Sequence, residues 1–475
     1  MSDADIGLIG LGTMGSNLAL NIAEKGHRIA VWNRTGARID EFVAAAGPLA
    51  ERIVPCRTLE ELMAAIRPPR PVILMVPAGK PVDEQLDVLA PLAGEGDILI
   101  DAGNANFRDT MRRMGAFADA PFSFVGMGVS GGEEGARHGP SIMVGGAESA
   151  WKRIEKVILD ISAKYEGEPC AAWLGPGGAG HFVKTIHNGI EYADMQMIAE
   201  TYGIMRDGLG MDAGSIGRVF ESWNAGKLNS YLIEITAAVL AAGDPATGQP
   251  VVDLILDKAG QKGTGRWSVI EAQMMGVPAT AIEAAVAARS LSAMKDERVA
   301  AAAIFAPPPQ SVASTAASDI VAELEMALLA GKIAAYAQGF AVMQAASREF
   351  GWNLPMATVA RIWRAGCIIR SQFLGSIAAA FETGGELPNL MVAPAFVEMM
   401  SAAHPALRIT VGRAALQGQP VPALSSALAY FDGYRQARGT ANLVQAQRDF
   451  FGAHGFERID REGPQHGPWG MAAEA

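Results

Sequence analysis

Residues 6–15 read Ile-Gly-Leu-Ile-Gly-Leu-Gly-Thr-Met-Gly, and this stretch decides the fold class of the first part of the chain. The apolar run Ile6–Ile9 predicts a buried β-strand, and the Gly-x-Gly-x-x-Gly spacing that follows predicts a tight turn into a helix. Glycines let the backbone approach a pyrophosphate closely, and a helix N-terminus favours its negative charge. We therefore predict a Rossmann-type dinucleotide site. Its predicted contacts are Gly10, Leu11, Gly12, Thr13, Met14 and Gly15.

The end of the second predicted strand, Ile29–Trp32, indicates which dinucleotide is bound. Sites for NAD usually carry Asp or Glu at this point, where the carboxylate binds the ribose 2′-hydroxyl. This chain has Asn33-Arg34-Thr35 instead, and an Arg with a hydroxyl suits a 2′-phosphate. We therefore predict NADP rather than NAD, the alternative being that Arg34 is an ordinary surface residue.

The remaining apolar segments before residue 175 predict a parallel α/β sheet. Strand candidates at 72–76, 98–100 and 124–125 are separated by helical patterns, and residues 143–174 could add further strands. The glycine-rich segment 175–180 marks a boundary. We place the NADP-binding domain at residues 1–178.

After this boundary Ala, Met, Leu and Glu dominate, which predicts a large all-α domain over 179–435 and an extended tail over 436–475. A weak internal repeat aligns residues 184–196 with 332–344 and 223–226 with 363–366, so the helical domain is predicted to be duplicated, although chance similarity competes. The second copy lacks the polar partners of Lys184, so Lys332 is predicted to be structural.

Residues 180–192 place Lys184, His187, Asn188 and Glu191 at spacings i, i+3, i+4 and i+7, which share one face of a helix. A helix inside a domain normally uses such a face for apolar packing. An amine, an imidazole, an amide and a carboxylate together are costly to desolvate, so we predict that they meet a polar ligand. The competing interpretation is a solvated face with ordinary i, i+4 pairs.

Composition limits the remaining possibilities. The chain has 475 residues and a net charge of −11, which argues against a nucleic-acid binder. The three cysteines are far apart and form no Cys-x-x-Cys motif, so neither structural disulfides nor a cysteine-based metal site is expected. Without a leader-like segment or an apolar run of membrane length, the expected protein is soluble and cytoplasmic, with no bound metal.

Three further segments are unusual for scaffolding, although each taken alone has an ordinary explanation. The glycine-rich turn 126–132 contains Ser130 and can offer backbone N–H groups to a carboxylate. Residues 260–265 combine Lys262, a threonine and three glycines, which suits a phosphate, but they lack the spacing of a nucleotide triphosphate loop. Residues 446–454 place Arg448 and His454 in the tail.

Together these motifs resemble the 6-phosphogluconate dehydrogenase family, within the β-hydroxyacid dehydrogenase superfamily, over almost the whole chain. The resemblance implies NADP-dependent oxidative decarboxylation of 6-phospho-D-gluconate to D-ribulose 5-phosphate and CO₂, in the pentose phosphate pathway and gluconate utilisation. It also implies a homodimer in which each tail reaches the neighbouring active site, and Lys184 as general base with Glu191 as acid. The substrate contacts that it implies are Asn104, Ser130, Gly131, Gly132, His187, Asn188, Tyr192, Lys262, Arg289 and, from the other subunit, Arg448 and His454. The further cofactor contacts that it implies are Asn33, Arg34, Thr35, Val76, Pro77, Ala78 and Asn104.

The family usually carries Lys where Pro77 stands, which weakens the prediction of one cofactor contact. Two alternatives remain at this point. A related dehydrogenase for an unphosphorylated acid would not need Lys262, Arg289 and Arg448 together. A non-enzymatic NADP sensor on the same fold would not need both Lys184 and Glu191.

Overall fold

A computed structural model describes residues 3–261, 263–306, 316–383 and 387–469, and its first part is built on one large β-sheet. The strands of this sheet and of one small hairpin are β1 (Ile6–Ile9), β2 (Ile29–Trp32), β3 (Ile53–Pro55), β4 (Pro71–Leu74), β5 (Ile98–Asp101), β6 (Ser123–Val129), β7 (Ile142–Gly145), β8 (Lys164–Tyr165), β9 (Glu168–Pro169) and β10 (Ala171–Gly175). The eight-stranded sheet has the order β10-β7-β6-β5-β4-β1-β2-β3, and β8 pairs with β9 separately. From β1 the strands follow in chain order towards both edges, with β2 and β3 on one side and β4, β5 and β6 on the other, as in a doubly wound sheet.

The predicted strands at 72–76, 98–100 and 124–125 pair in parallel, and one edge of the sheet runs in the opposite direction. The strands from β3 to β6 pair in parallel, but β7 is antiparallel to β6, and β10 then pairs in parallel with β7. Residues 130–141, which include the short helix α6, connect β6 to β7, and the chain reverses direction between these two strands. The strands expected within 143–174 are thus present, with the opposite direction.

Helices cover both faces of this sheet, because successive strand residues point to opposite sides. Ile73 lies in one apolar core with Leu18 and Ile154, whereas its neighbours Val72 and Leu74 lie in the second core. The helices of this region are α1 (Thr13–Glu24), α2 (Gly36–Ala45), α3 (Leu59–Ala65), α4 (Lys80–Leu89), α5 (Phe107–Ala116), α6 (Gly132–His138) and α7 (Glu148–Ile161), with 3₁₀ turns at Gly47–Arg52 and Ala90–Leu92.

The described residues after Gly175 form helices and isolated bridges, with no further strand. The helices are α8 (Ala179–Gly203), α9 (Ala213–Asn224), α10 (Tyr231–Ala241), α11 (Val251–Leu254), α12 (Thr264–Met274), α13 (Thr280–Ala293), α14 (Lys295–Ile304), α15 (Ala317–Glu349), α16 (Met356–Ile362), α17 (Phe373–Thr383), α18 (Pro394–Leu416), α19 (Pro422–Tyr434) and α20 (Ala441–Gly452), with a π-turn at Ile204–Gly208 and a 3₁₀ turn at Leu390–Val392. The fold class predicted from the sequence, a Rossmann-type region followed by a large helical one, is confirmed.

Two buried polar contacts fix the long helix α8 to its helical neighbours. Lys332 of α15 is fully buried and donates to both carboxylate oxygens of Asp194 at 2.7 Å. Glu200 accepts hydrogen bonds from the backbone N–H groups of Ala423 (2.8 Å) and Leu424 (2.9 Å), in the first turn of α19. Lys332 therefore has the structural placement that the repeat predicts, while the duplication itself stays a prediction.

The chain divides into two compact units, residues 1–428 and 429–475. The second unit is not simply extended, because it contains α20. The buried carboxylate of Asp449 organises this unit by accepting bonds from the N–H groups of Gly455 (2.8 Å) and Gly467 (2.9 Å) and from the Trp469 indole (2.6 Å). Within the described ranges, no helix combines the length and apolar character needed to cross a membrane.

Candidate active site

The turn between β1 and α1 has the geometry of a dinucleotide site. Gly10 has φ +100°, and a Cβ atom there would lie 2.5 Å from the carbonyl oxygen of Met75. A Cβ atom on Gly15 would overlap the carbonyl oxygen of Gly10, whereas one on Gly12 would meet nothing within 4 Å. The first and third glycines are thus required for packing, and the second leaves the N-terminus of α1 open to a ligand.

The end of β2 lies beside this glycine turn and forms one side of a cleft. The Asn33 side chain accepts a hydrogen bond from the Leu11 N–H (3.0 Å) and donates to the Thr35 carbonyl (3.1 Å), so it ties the glycine turn to this strand end. Arg34 is exposed and, among the described residues, has no hydrogen-bond or ion-pair partner for its guanidinium. An open helix N-terminus beside an unpaired guanidinium fits a dinucleotide that carries a 2′-phosphate.

The cleft itself encloses about 360 Å³ between the ends of β1, β2 and β4. Its lining residues are Ile9, Gly10, Gly12, Trp32, Asn33, Arg34, Met75, Val76, Pro77, Pro81, Glu84 and Gln85. Val76 and Pro77, two of the cofactor contacts that the family resemblance implies, line this cleft, and the third, Ala78, does not. Glu84 and Gln85 were missed, because they belong to α4 and no motif in the sequence relates that helix to β2.

The helix α8 lies directly against the sheet because glycines face it. A Cβ atom on Gly128 of β6 would lie 2.5 Å from the Lys184 Cβ, and one on Gly180 would lie 2.6 Å from the Gly145 nitrogen. Larger residues at these positions would push α8 away from β6 and β7. The close approach places Lys184 beside the carboxyl end of β6, where the Ser130 turn begins.

The Lys184 amine is the centre of a buried polar cluster and is only 6 % exposed as a residue. It donates hydrogen bonds to the Asn188 side-chain oxygen (2.8 Å) and the Ser130 hydroxyl (3.1 Å). The His187 ring lies within hydrogen-bond distance of the same hydroxyl (3.1 Å between Nε2 and Oγ), and its Nδ1 is 3.8 Å from a Glu191 oxygen. The predicted polar face of the helix is therefore buried rather than solvated.

Burial shifts the protonation of this cluster towards uncharged forms. Desolvation lowers the pKa of Lys184, and the nearby Glu191 carboxylate only partly offsets it. Desolvation raises the pKa of Glu191 against the opposing charges of Lys184 and Arg289. The pKa of His187 is well below its ordinary value, since the ring is buried and lies next to Lys184. An amine able to take up a proton thus shares one helix face with a carboxyl able to release one.

Aromatic and helical neighbours form the walls around this face. The Arg289 guanidinium of α13 lies 3.4 Å from the ring centroid of the buried Tyr192. The Trp363 ring packs edge-on against His187, with 5.4 Å between ring centroids. The sequence singled out Trp363 only as part of the repeat, and a contact between such distant segments has no local signal in one sequence.

The structure brings some of the predicted substrate contacts into one cluster. Ser130, Lys184, His187, Asn188 and Glu191 form one cluster; the αL residue Gly131 and Gly132 follow Ser130 at the start of α6, and Asn104 is exposed after β5. Arg448 and His454 are exposed within the separate unit 429–475. Lys262 lies outside the described residues.

Comparison with known proteins agrees with this geometry. The family model for the NAD-binding domain of 6-phosphogluconate dehydrogenase matches residues 5–175, and that for the 6-phosphogluconate dehydrogenase C-terminal domain matches residues 180–469. An NADP(+)-dependent, decarboxylating 6-phosphogluconate dehydrogenase of Bacillus subtilis is 47 % identical over 99 % of this chain and 100 % of its own length. An NAD(+)-dependent, decarboxylating 6-phosphogluconate dehydrogenase of the same organism is 45 % identical over 98 % of this chain and 99 % of its own.

A solved structure also matches this chain over almost its whole length. The 6-phosphogluconate dehydrogenase of Plasmodium falciparum, known in its apo form and in complexes with its cofactor NADP+ and its substrate 6-phosphogluconate, superposes with a TM-score of 0.95. It is 42 % identical, and the match covers 98 % of this chain and 100 % of that one. The glycine turn, the buried lysine cluster and these full-length matches lead to one conclusion: the chain belongs to the 6-phosphogluconate dehydrogenase family.

Proposed function

We propose that this protein oxidises and decarboxylates 6-phospho-D-gluconate, with reduction of NADP, to give D-ribulose 5-phosphate, CO₂ and NADPH. The observation that carries the proposal is the buried Lys184 amine, held by Ser130 and Asn188 at the end of β6 in a chain of this family. The same helix face supplies Glu191, so both proton-transfer groups of the reaction are present on one rigid element.

The choice of NADP rests on this chain's own residues, because similar relatives use either dinucleotide. Asn33-Arg34-Thr35 follows β2 without a carboxylate, and the Arg34 guanidinium has no partner within the described ranges. An acidic residue at this place would repel a 2′-phosphate, whereas Arg34 attracts it. The proposed cofactor contacts are Gly10, Leu11, Gly12, Thr13, Met14, Gly15, Asn33, Arg34, Thr35, Val76, Pro77, Ala78 and Asn104. NADP, when bound, supplies the acceptor for the hydride that leaves C3 of the substrate.

Lys184 acts first as a base. Loss of hydride from C3 requires the 3-hydroxyl to lose its proton, and the Lys184 amine takes that proton because burial favours its neutral form. The product is a β-keto acid, in which the C3 ketone accepts the electron pair released when CO₂ leaves. Protonated Lys184 beside that ketone stabilises the developing negative charge on oxygen. The enediol that results has its double bond between C2 and C3 of the original sugar acid, which become C1 and C2 of the ketose.

Glu191 completes the reaction as an acid. The enediol must gain a proton on the former C2 of the acid, which is C1 of the ketose, and the Glu191 carboxyl lies two helical turns beyond Lys184 on the same face. Burial raises the pKa of Glu191, which favours the protonated form that this step needs. Remote binding of the phosphate orients the sugar acid against both groups. The proposed substrate contacts are Asn104, Ser130, Gly131, Gly132, His187, Asn188, Tyr192, Lys262 and Arg289, with Arg448 and His454 of the partner subunit.

One assay set tests the activity. Purified protein should reduce NADP with 6-phosphogluconate and release CO₂, and unphosphorylated gluconate should be a far poorer substrate. Lys184→Met removes the base with little change of volume and should lower kcat by about 10²–10⁴-fold. Turnover in this variant within tenfold of the wild type would refute the assigned base.

The homodimer with exchanged tails is a separate part of the proposal, and subunit mixing tests it. Leu443 (62 %), Phe450 (61 %) and Phe451 (72 %) expose large apolar side chains in unit 429–475, which supports a covering partner. Lys184→Met and Arg448→Met chains are each expected to be inactive. Refolding them together should restore roughly a quarter of wild-type activity, since half of the dimers are mixed and each holds one intact site. No recovery in confirmed mixed dimers would mean that each tail serves its own chain.

We also place the protein in the cytoplasm. Cys56, Cys170 and Cys367 are all buried free thiols, which suits a reducing compartment. Fractionation of the source cells, with NADP-dependent activity as the marker, tests this placement.

A further inference from the structure

A charged pair outside the reaction site joins the nucleotide-binding region to the helical region. The Arg108 guanidinium of α5 donates two hydrogen bonds to the Glu271 carboxylate of α12, from Nε to Oε1 (2.8 Å) and from Nη2 to Oε2 (2.7 Å). The Glu271 side chain is 3 % exposed and that of Arg108 is 50 % exposed. This two-bond geometry fixes orientation as well as distance, which a single contact does not do.

The Arg108 end of the pair is continuous with the loop that carries Asn104. Asn106 caps α5 by accepting the Arg108 backbone N–H at 2.9 Å, so the loop after β5 and the first turn of α5 form one ordered segment. Asn104 lies two residues before this cap and is a proposed contact of both cofactor and substrate. Arg108 and Asn104 thus lie four residues apart on one continuous segment.

The Glu271 end belongs to the helix that follows the predicted phosphate loop. The first turn of α12 lies against the proposed substrate contact Tyr192, because a Cβ atom on Gly265 would be 2.5 Å from the Tyr192 ring. Ser268, further along α12, also contacts α8. A Cβ atom on Gly189 of α8 would lie 2.5 Å from the Ser268 hydroxyl oxygen. Helix α12 thus packs on the outer half of α8, and Glu271 extends from it to the nucleotide-binding region.

We propose that Arg108 and Glu271 are a positioning pair that makes dinucleotide binding and sugar-phosphate binding reinforce each other. Binding of either ligand restrains the segment that holds one residue of the pair. The two hydrogen bonds between the guanidinium and the carboxylate then restrain the segment that holds the other residue. Neither residue contacts a reacting atom. The inference rests on the proposed function, since it takes NADP(H) and 6-phosphogluconate as the two ligands.

The measurement is the affinity of the full-length protein for 6-phosphogluconate by titration calorimetry, alone and with saturating NADPH. NADPH is already reduced, so no turnover occurs. The ratio of the two Kd values is the coupling factor, and a merely stabilising pair would not change it. We expect NADPH to tighten sugar-phosphate binding at least about fivefold in the wild type. In Arg108→Gln and in Glu271→Gln we expect the factor to fall to within about twofold of one.

Three further variants sharpen the test. Arg112 is the matched control, because it lies on the same helix with 55 % exposure but pairs with Asp83 of α4, inside the nucleotide-binding region. Arg112→Gln should keep the wild-type factor. Arg108→Lys keeps the charge without the fork and should give an intermediate factor. Where a single variant folds poorly, Arg108→Leu with Glu271→Leu removes both charges, leaves no unpaired buried carboxylate, and should also abolish coupling.

The outcomes separate the two proposals. A coupling factor near one in the wild type, or an unchanged factor in folded Arg108→Gln, Glu271→Gln and double-Leu proteins, would overturn the positioning role alone. Failure of the wild type to bind 6-phosphogluconate, or to reduce NADP with it, would instead overturn the proposed function.

Discussion

Replacing Arg34 by Leu should convert an NADP enzyme into one that no longer prefers NADP. The guanidinium is exposed and has no partner among the described residues, so its removal breaks no internal contact. A charge-assisted hydrogen bond to a phosphate contributes about 1.5–3 kcal/mol. A loss of about 2 kcal/mol corresponds to a roughly 30-fold fall in kcat/KM for NADP. The value for NAD, which has no 2′-phosphate, should change by less than about threefold.

The assay compares kcat/KM for both dinucleotides at one ionic strength, with saturating 6-phosphogluconate. Arg52→Leu is the control, because this exposed side chain donates to the Gly26 carbonyl (2.7 Å), just past the far end of α1. The length of α1 places it about 18 Å from the glycine turn, beyond the screening length of about 8 Å at physiological salt. Equal losses with NADP and NAD in Arg34→Leu, or no loss with NADP, would show that the guanidinium does not bind the 2′-phosphate.

Three other substitutions have defined outcomes. Wild-type kcat/KM should rise with pH as Lys184 loses its proton and fall as Glu191 ionises. In Glu191→Gln the rise should remain and the fall at higher pH should disappear. A pH profile of this variant that still rises and falls would contradict the assignment. Burial raises the pKa of Glu200 to about 7 from an ordinary 4.5, so the folded protein holds this proton more tightly than the unfolded chain. The free energy of unfolding should therefore drop by roughly 3 kcal/mol as pH rises from 4.5 to 7, and chemical denaturation of Glu200→Gln should show a smaller drop. Gly128→Ala places a methyl group 2.5 Å from the Lys184 Cβ and should lower both stability, by about 1–3 kcal/mol, and kcat; an unchanged kcat in the folded variant would mean that the cluster tolerates displacement.

The sequence was most informative where local spacing and chemistry coincide. Three motifs each lie within a dozen residues: the glycine turn, Asn33 after the end of β2, and the polar helix face from Lys184 to Glu191. Each is found in the structure where its pattern predicts. These motifs depend on backbone geometry and helix periodicity, which neighbouring residues determine. The fold class followed from the same signals.

Features that depend on distant segments were not predictable in this way. The packing of Trp363 on His187 and the pairing of Arg108 with Glu271 join segments far apart in the sequence, and the direction of β7 depends on how the chain turns after β6. An apolar strand has the same alternation in either direction, and a single arginine gives no indication of its partner. The tail assignments of Arg448 and His454 came from family resemblance alone, and they remain predictions.

The glycines beneath α8 determine which part of the molecule holds the Lys184 amine in place. Although α8 follows the sheet in sequence and starts the helical region, Gly128 and Gly180 seat its first turns on β6 and β7. Lys184 therefore has a fixed position relative to the nucleotide-binding sheet. Were the two regions to rotate relative to each other during turnover, the amine would travel with the nicotinamide end of the dinucleotide. On the proposed function, product release would then open the phosphate-binding side of the site and leave Lys184 beside the dinucleotide.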